Sequence, residues 1–466
     1  AYAAALGIEM VPCIQTLAHL ERALHWPQID PDTRDTEDIL MVDEPKTYAW
    51  IEDMITALRA AFRSSRIHIG MDEAWMLGLG NYRLRHGIEP AHKLMARHLE
   101  KVRDIARRHG FSPMIWSDMY LCAASPTGEY YNAVDPIPEE VVRSVCEGVS
   151  LVYWDYCHED EQDYDRMLRL HRQFGGETMF AGGLWTWIGP APALDKMRRA
   201  SLPALRACEK NGVDTVVGTA WGDNGAECSL LAALYGMQLY AEYNYTGVTD
   251  TDWLDARFLA CTGEPAAPFA LMSQFNTPPG VVSRDENPVN VSKFLLYEDP
   301  LIPLYARDTQ GMCFSGFYAD LAERFAAFRG QTPAFEKLYR FYEAFARLMA
   351  AKCRWRENLP ALCAETAGQG IALAQDCRAE IARCRLAWEA LWEQVNKPFG
   401  YEIIDLRLSG LDGRYETTLR KLERLRGGDT AVLALVREEK LRVLSNEEGR
   451  FYGIGAWSDC VSACKV

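Results

Sequence analysis

A parallel α/β fold, arranged as a (β/α)8 TIM-type barrel and followed by a mainly α-helical C-terminal region, is what the sequence predicts. Three observations carry that prediction. Short apolar runs alternate with amphipathic helical segments from residue 7 to about 240. The runs lack polar alternation, as strands buried on both faces do. Charged and aromatic residues cluster just past nearly every run, on the face where barrels build their sites; an open doubly wound sheet would concentrate its site at one switch point.

The expected strands are 8–14, 66–70, 113–116, 149–154, 178–184 and 213–219. Helical stretches lie between and after them at 48–62, 91–109, 139–146, 161–174, 194–210 and 227–240. The helix at 91–109 ends on a basic turn before Gly110, a C-terminal signal. Six strand–helix units are two short of a closed barrel. Residues 1–6 (AYAAAL) read as the tail of a helix that Gly7 stops, and a strand follows at once. The expectation is therefore a barrel region over 1–245 that starts at its third strand, from a truncated gene or a fragment, with full activity of the chain in doubt. Residues 246–466 form the second region. Its first part, 245–310, is Pro- and Asn-rich and reads as an irregular connection. Long helices are expected over 317–395, with Tyr339, Phe341, Tyr342, Phe345, Leu348 and Met349 as a core stripe. The segment 396–400 (NKPFG) breaks the helix, and two more helices fit 414–426 and 430–443.

The 466 residues are 48% hydrophobic and 25% charged with a formal net charge of −15, an ordinary globular balance that offers no basic face to a phosphate backbone. Nucleic acid is therefore not an expected partner. No apolar run reaches the roughly 18 residues of a membrane span. The 14 cysteines are scattered, and the closest pair, Cys460 and Cys464, has no second pair with which to hold zinc. Such usage suits a reducing compartment, so a cytoplasmic location is expected, with a preceding targeting segment left open. No Gly-rich phosphate loop is present, and no cofactor is expected.

The segment His68-Ile69-Gly70-Met71-Asp72-Glu73 is the most informative. An apolar strand runs straight into two adjacent carboxylates, which repel each other and lose solvation. The bland alternative is an Asp that caps the next helix beside a solvated Glu. The tryptophans are the second signal. Trp116, Trp154, Trp185, Trp187 and Trp221 all fall at expected strand ends, with Asp118, Tyr156 and Asp223 close by. Any one Trp is more often core. Five in the same topological place suit an aromatic wall around a hydroxyl-rich ligand. The nine histidines all lie at or before residue 171, and no H-x-H pair marks a metal site. No metal is expected; His19 is read as supporting a carboxylate and His68 as a satisfied core histidine.

These motifs resemble glycoside hydrolase family 20, the β-N-acetylhexosaminidases, in its compact bacterial branch. His68, Gly70, Asp72 and Glu73 match that family's H-x-G-x-D-E; Val11-Pro12 and His19 match the end of its third strand; Trp221-Gly222-Asp223 matches its Trp-x-acid pair. The stretch 392–400 with Asp405-Leu406-Arg407-Leu408 resembles the helical tail of that branch. The resemblance implies exo-acting, substrate-assisted retaining hydrolysis of terminal N-acetyl-β-hexosamine residues in a glycan or glycoside. Glu73 is then the acid and base, and Asp72 orients the 2-acetamido group. His19 helps hold the acid, Trp116, Trp154 and Trp221 wall the pocket, and Asp223 grips sugar hydroxyls. Two features depart from the family pattern. The first-strand arginine has no counterpart. The seventh strand ends Leu184-Trp185-Thr186-Trp187 without its tyrosine, so Tyr156 or the indole of Trp185 or Trp187 takes the acetamido oxygen. Two other readings stand beside this one: a sugar-binding remnant without turnover, and a retaining glycosidase that pairs Glu73 with Asp118 or Asp223 as nucleophile.

Overall fold

The computed structural model describes residues 2–453 apart from 286 and 329. Cys460 and Cys464 lie outside the described residues. The chain divides into two compact units, residues 1–182 with 203–217 and residues 183–202 with 218 onward.

A parallel sheet, most of it in the first unit, carries the strands. Its strands are β1 (Arg66–His68), β2 (Ser112–Trp116), β3 (Ser150–Trp154), β4 (Thr178–Gly183) and β5 (Val216–Thr219), hydrogen-bonded in sequence order. Arg66 pairs with Ser112, Met114 with Ser150 and Leu151 with Thr178, all parallel. The connecting helices are α1 (Pro45–Ala61), α2 (Ala91–Arg108), α3 (Glu161–Arg172) and α4 (Leu194–Lys210). Pro45 sits in the first turn of α1, where its missing N–H costs nothing, and the Glu44 side chain accepts from the Lys46 N–H. Asp160 caps α3 by accepting from the Gln162 N–H. In α2 the buried positions Leu94, Met95, His98, Leu99, Val102, Ile105 and Ala106 recur at three- and four-residue spacing and form one stripe. Each large aliphatic side chain so buried stabilises the fold by ~1.5–3 kcal/mol.

Strand residues alternate between two apolar environments. Ile67, Ile115, Leu151, Tyr153 and Phe180 join the large core with the helices. Met114, Trp116, Val152, Met179 and Ala181 form a second, smaller cluster with the partly buried Val11 and Trp154. Burial on both faces is why these strands carry no polar alternation.

The expected strand at 8–14 is shorter than the sequence suggests. It reduces to a one-residue parallel bridge, Cys13 to His68, flanked by Ile14 N–H to His68 O and His68 N–H to Pro12 O, both 2.9 Å. Pro12 brings no N–H to a ladder and residues 7–10 stay exposed, so pairing does not propagate toward the start. What the described residues form is thus a five-stranded half-barrel with one added bridge.

The second unit is helical. It includes α5 (Val291–Tyr297), α6 (Ser315–Ala327), α7 (Pro333–Asn358), α8 (Ala367–Val395) and α9 (Tyr401–Arg426). The whole predicted stripe of α7, from Tyr339 to Met349, is buried. Asn396 ends α8, and Gly400, at φ +101°, restarts the chain as α9. Three expectations need correction. The stretch 245–310 is not irregular throughout: it holds helices at Thr251–Thr262 and Ala267–Ser273 as well as α5. Asp250 caps the first by accepting from the Trp253 N–H, and Pro268 starts the second instead of breaking it. The helix expected at 414–426 begins at Tyr401, and that expected at 430–443 shortens to Ala431–Arg437. Among the described residues every cysteine is a free thiol, and no helix is long and apolar enough to cross a membrane.

Candidate active site

Within the first unit the chain leaves β1 through an unusual backbone. Gly70, Met71 and Glu73 have φ of +72°, +74° and +51°. For Met71 and Glu73 this left-handed geometry costs ~1–2 kcal/mol each, so other contacts must hold it. Gln15 does so from the neighbouring segment: its Oε1 accepts from the Met71 N–H at 3.1 Å and its Nε2 donates to Asp72 Oδ1 at 2.7 Å. A Cβ on residue 70 would lie 1.9 Å from Gln15 Oε1, so only glycine lets this clamp close. Thr16 Oγ1 donates to Ile69 O at 2.7 Å, and the Glu73 N–H donates to Asp118 Oδ2 at 2.8 Å.

His19 resolves the repulsion between the paired acids. Its Nε2 lies 3.3 Å from Asp72 Oδ2 and 3.4 Å from Glu73 Oε2. Hydrogen bonding to Asp72 first, and then to Glu73, lifts the imidazole to a pKa of about 10, so one cation serves two carboxylates. His19 itself sits at φ +57°. Asp72 is mostly covered, whereas Glu73 remains 40% exposed. That division suits an orienting group beneath a ligand and a proton donor at its edge.

Asp118 lies just past the end of β2. It is fully buried, and its Oδ2 receives the Glu73 N–H. Burial first, then the charge of Asp72, pushes its carboxyl up to about 7; the Glu73 N–H and the Trp154 indole pull the other way. It supports the backbone of Glu73 from behind. His68 is buried and neutral, with burial lowering its pKa to about 4. Its Nδ1 accepts from the Gly70 N–H at 3.1 Å, and its ring lies 4.3 Å from that of Trp116, which is also buried. His68 Nε2 has no hydrogen-bond partner among the described residues, so the expectation of a satisfied core histidine is met at one nitrogen only. Trp154 is half-buried and stacks on Tyr156 at 5.4 Å.

The second unit holds the other expected residues. Trp185 is buried at φ +52° and stacks on the half-buried Trp187 at 4.6 Å, so Trp187 is the indole of this pair with a partly open face. Thr186 Oγ1 donates to Trp221 O at 2.9 Å. Trp221 and Asp223 are exposed and open a turn in which Asn224, Gly225 and Ala226 take φ of 56°, 111° and 51°. Beneath it Glu227 is buried among cations. Its Oε1 lies 2.9 Å from Arg407 Nη1, its Oε2 lies 2.9 Å from Lys293 Nζ, and the Tyr297 hydroxyl donates to it. Burial lowers the pKa of Lys293, against the pull of Glu227 and Asp223.

Sequence reasoning missed Gln15, Glu227, Lys293 and Arg407. Gln15 had a signal, as the first polar residue after an apolar run. Arg407 stood in the matched stretch Asp405–Leu408 but without a role, and Glu227 and Lys293 had no signal, since nothing local marks a charge that will be buried. No group of three or more His, Cys, Asp or Glu among the described residues is arranged to hold a metal ion.

Two family models match the chain. That of the glycosyl hydrolase family 20 catalytic domain covers residues 1–135, and that of the glycoside hydrolase 20C C-terminal domain covers residues 267–453. No curated protein matches. Solved structures similar to this chain include the Streptomyces plicatus N-acetyl-β-hexosaminidase, with 20% identity over 40% of this chain and 34% of that one at a TM-score of 0.27. The Flavobacterium johnsoniae chitobiase gives 15% identity over 93% of this chain and 63% of that one at 0.37. The Vibrio harveyi exo-β-N-acetylglucosaminidase gives 14% over 58% and 44% at 0.33. The chain thus spans about a third of the length of the first of these structures.

Proposed function

The chain belongs to glycoside hydrolase family 20, and from that premise we propose that it removes terminal N-acetyl-β-hexosamine residues by exo-acting, substrate-assisted retaining hydrolysis, its half-barrel being part of a (β/α)8 barrel. Glu73 protonates the glycosidic oxygen as the bond to the anomeric carbon breaks. The carbonyl oxygen of the substrate's own 2-acetamido group bonds to that carbon and gives an oxazolinium ion. Asp72 aligns the acetamido N–H and offsets the positive charge that develops on it. Glu73, now a carboxylate, takes a proton from water as the water attacks the same carbon, and the configuration is retained. Trp116, Trp154 and Trp221 bound the sugar; Asp223 takes its hydroxyls. Tyr156 or the Trp187 indole donates to the acetamido oxygen.

The observation that supports this reading most is the placement of His19 across Asp72 and Glu73. It lets two adjacent acids coexist, one covered and one exposed, as an orienting carboxylate and a proton carrier require. A protein nucleophile is less well supported, because Asp118 is buried and occupied by the Glu73 N–H.

Hydrolysis of 4-nitrophenyl N-acetyl-β-glucosaminide beside the plain β-glucoside tests the reading. Turnover of the acetamido substrate alone is expected, falling by about 10²–10⁴-fold in Glu73→Gln. Equal turnover of both sugars would rule out participation by the acetamido group. Binding of N-acetylglucosamine without turnover would favour a sugar-binding protein.

A further inference from the structure

The turn that carries Asp223 does not hold itself. Asn224, Gly225 and Ala226 are left-handed in succession, two of them without a glycine's freedom. What holds the turn arrives from α9, 180 residues from Glu227 along the chain. Arg407 is buried, and its Nη1 donates both to Asn224 O at 2.6 Å and to Glu227 Oε1 at 2.9 Å. A guanidinium can serve two acceptors from one rigid fork, which an ammonium on a flexible stem does less well. The fit is close. A Cβ on residue 225 would lie 2.9 Å from Arg407 Nη1 and 3.5 Å from Ile403 Cγ2, so α9 lies directly against the turn. Glu227 is fixed in its own right by Lys293 and Tyr297 of α5.

We infer that Arg407 is a positioning residue for the sugar-gripping turn, so that the C-terminal helical region sets how tightly and how selectively the sugar is held. The inference rests on the role given to Asp223 above. The charges agree with it. Two buried cations share the single carboxylate of Glu227, and Asp223 is near enough to strengthen the hold of Lys293 on its proton. An ionised carboxylate is the form that accepts hydrogen bonds from hydroxyls.

The test is Arg407→Met, which keeps an unbranched side chain but removes the fork, read in two ways. Hydrogen exchange, measured without substrate, should accelerate about tenfold across residues 220–228 and stay unchanged across 66–76. The ratio of kcat/KM for the N-acetyl-β-glucosaminide to that for its galacto epimer should fall about three- to tenfold, through KM, with kcat within about twofold. That ratio does not depend on how much of the variant is folded, so it decides the matter even where exchange rises everywhere. Unchanged exchange overturns the latch. Faster exchange with the ratio and KM unchanged makes Arg407 a structural staple and overturns the positioning role. If the unaltered chain hydrolyses neither epimer, the functional reading fails and the positioning role with it, and the exchange result, obtained without substrate, separates that case from failure of the latch itself.

Discussion

The turn after β1 and the turn after β5 face the same backbone problem and meet it with different chemistry. Each leaves a parallel strand through left-handed residues, and each presents an acid: Asp72 and Glu73 in one, Asp223 in the other. The first is held by nearby neutral donors and acceptors. Gln15 clamps one side, Asp118 the other, and a single partly exposed cation, His19, crosses the top. The second is held from below by a buried ion cluster, Glu227 with Arg407 and Lys293, contributed by helices far along the chain. The proposed proton carrier, Glu73, thus stays partly exposed beside a histidine whose pKa is raised to about 10. The Asp223 turn is braced instead by charges that are buried. Variants in the first turn should act on kcat, and variants under the second on KM and on stability.

The largest effect on stability should come from Glu227→Leu, which leaves two buried cations without their shared carboxylate. Breaking a buried pair on one side costs ~3–5 kcal/mol, so the midpoint of a urea melt should fall sharply. A loss below ~1 kcal/mol would show that the cluster is solvated and would erase the contrast between the turns. A smaller effect is expected at Asp118. Its carboxyl is raised to about 7 from an ordinary 3.8, so the fold favours its protonated form, and its contribution to stability declines as pH rises between those values. Asp118→Asn keeps an oxygen for the Glu73 N–H and should melt no lower than the unaltered chain at pH 8. Asp118→Leu leaves that N–H unmatched and should lose ~1–3 kcal/mol at the same pH. Equal melting of the two variants would remove Asp118 from the support of the first turn. The smallest effect belongs to His19. Its pKa is raised to about 10 from 6.5, so its stabilisation is fully present below 6.5 and is lost as pH rises through about 10. The difference in melting temperature between the unaltered chain and His19→Gln should be widest near pH 6 and should close by about pH 10.5. A gap independent of pH would mean that the imidazole holds the acids as a neutral donor.

Much of this arrangement is legible in the sequence because it is local. Five of the six expected strands form, since unbroken apolar runs between helices leave few alternatives. The Asp72–Glu73 pair announces itself by position. What the sequence hides depends on partners in space. Residues 8–14 have the composition of a strand, yet Pro12 and an exposed start reduce the segment to a bridge. Prolines between 245 and 310 read as breaks, while Pro268 begins a helix. For Asp118 the sequence shows its place after a strand and not that its carboxyl receives the Glu73 N–H. Arg407 stands in a stretch that resembles the family, yet its role stays hidden because its two acceptors lie some 180 residues away.

That separation also sets an order of assembly. The Glu73–Asp118 contact spans 45 residues and the Glu227–Arg407 contact spans 180. At a synthesis rate of roughly 5–20 residues per second, the first can close ~2–9 s after Glu73 is made, and the second waits ~9–36 s after Glu227. On the ribosome the turn of Asp72 and Glu73 therefore meets its support early, and the turn of Asp223 meets its guanidinium late. A nascent chain interrupted between these points would carry Asp72 and Glu73 on their finished support while the Asp223 turn still lacked its guanidinium.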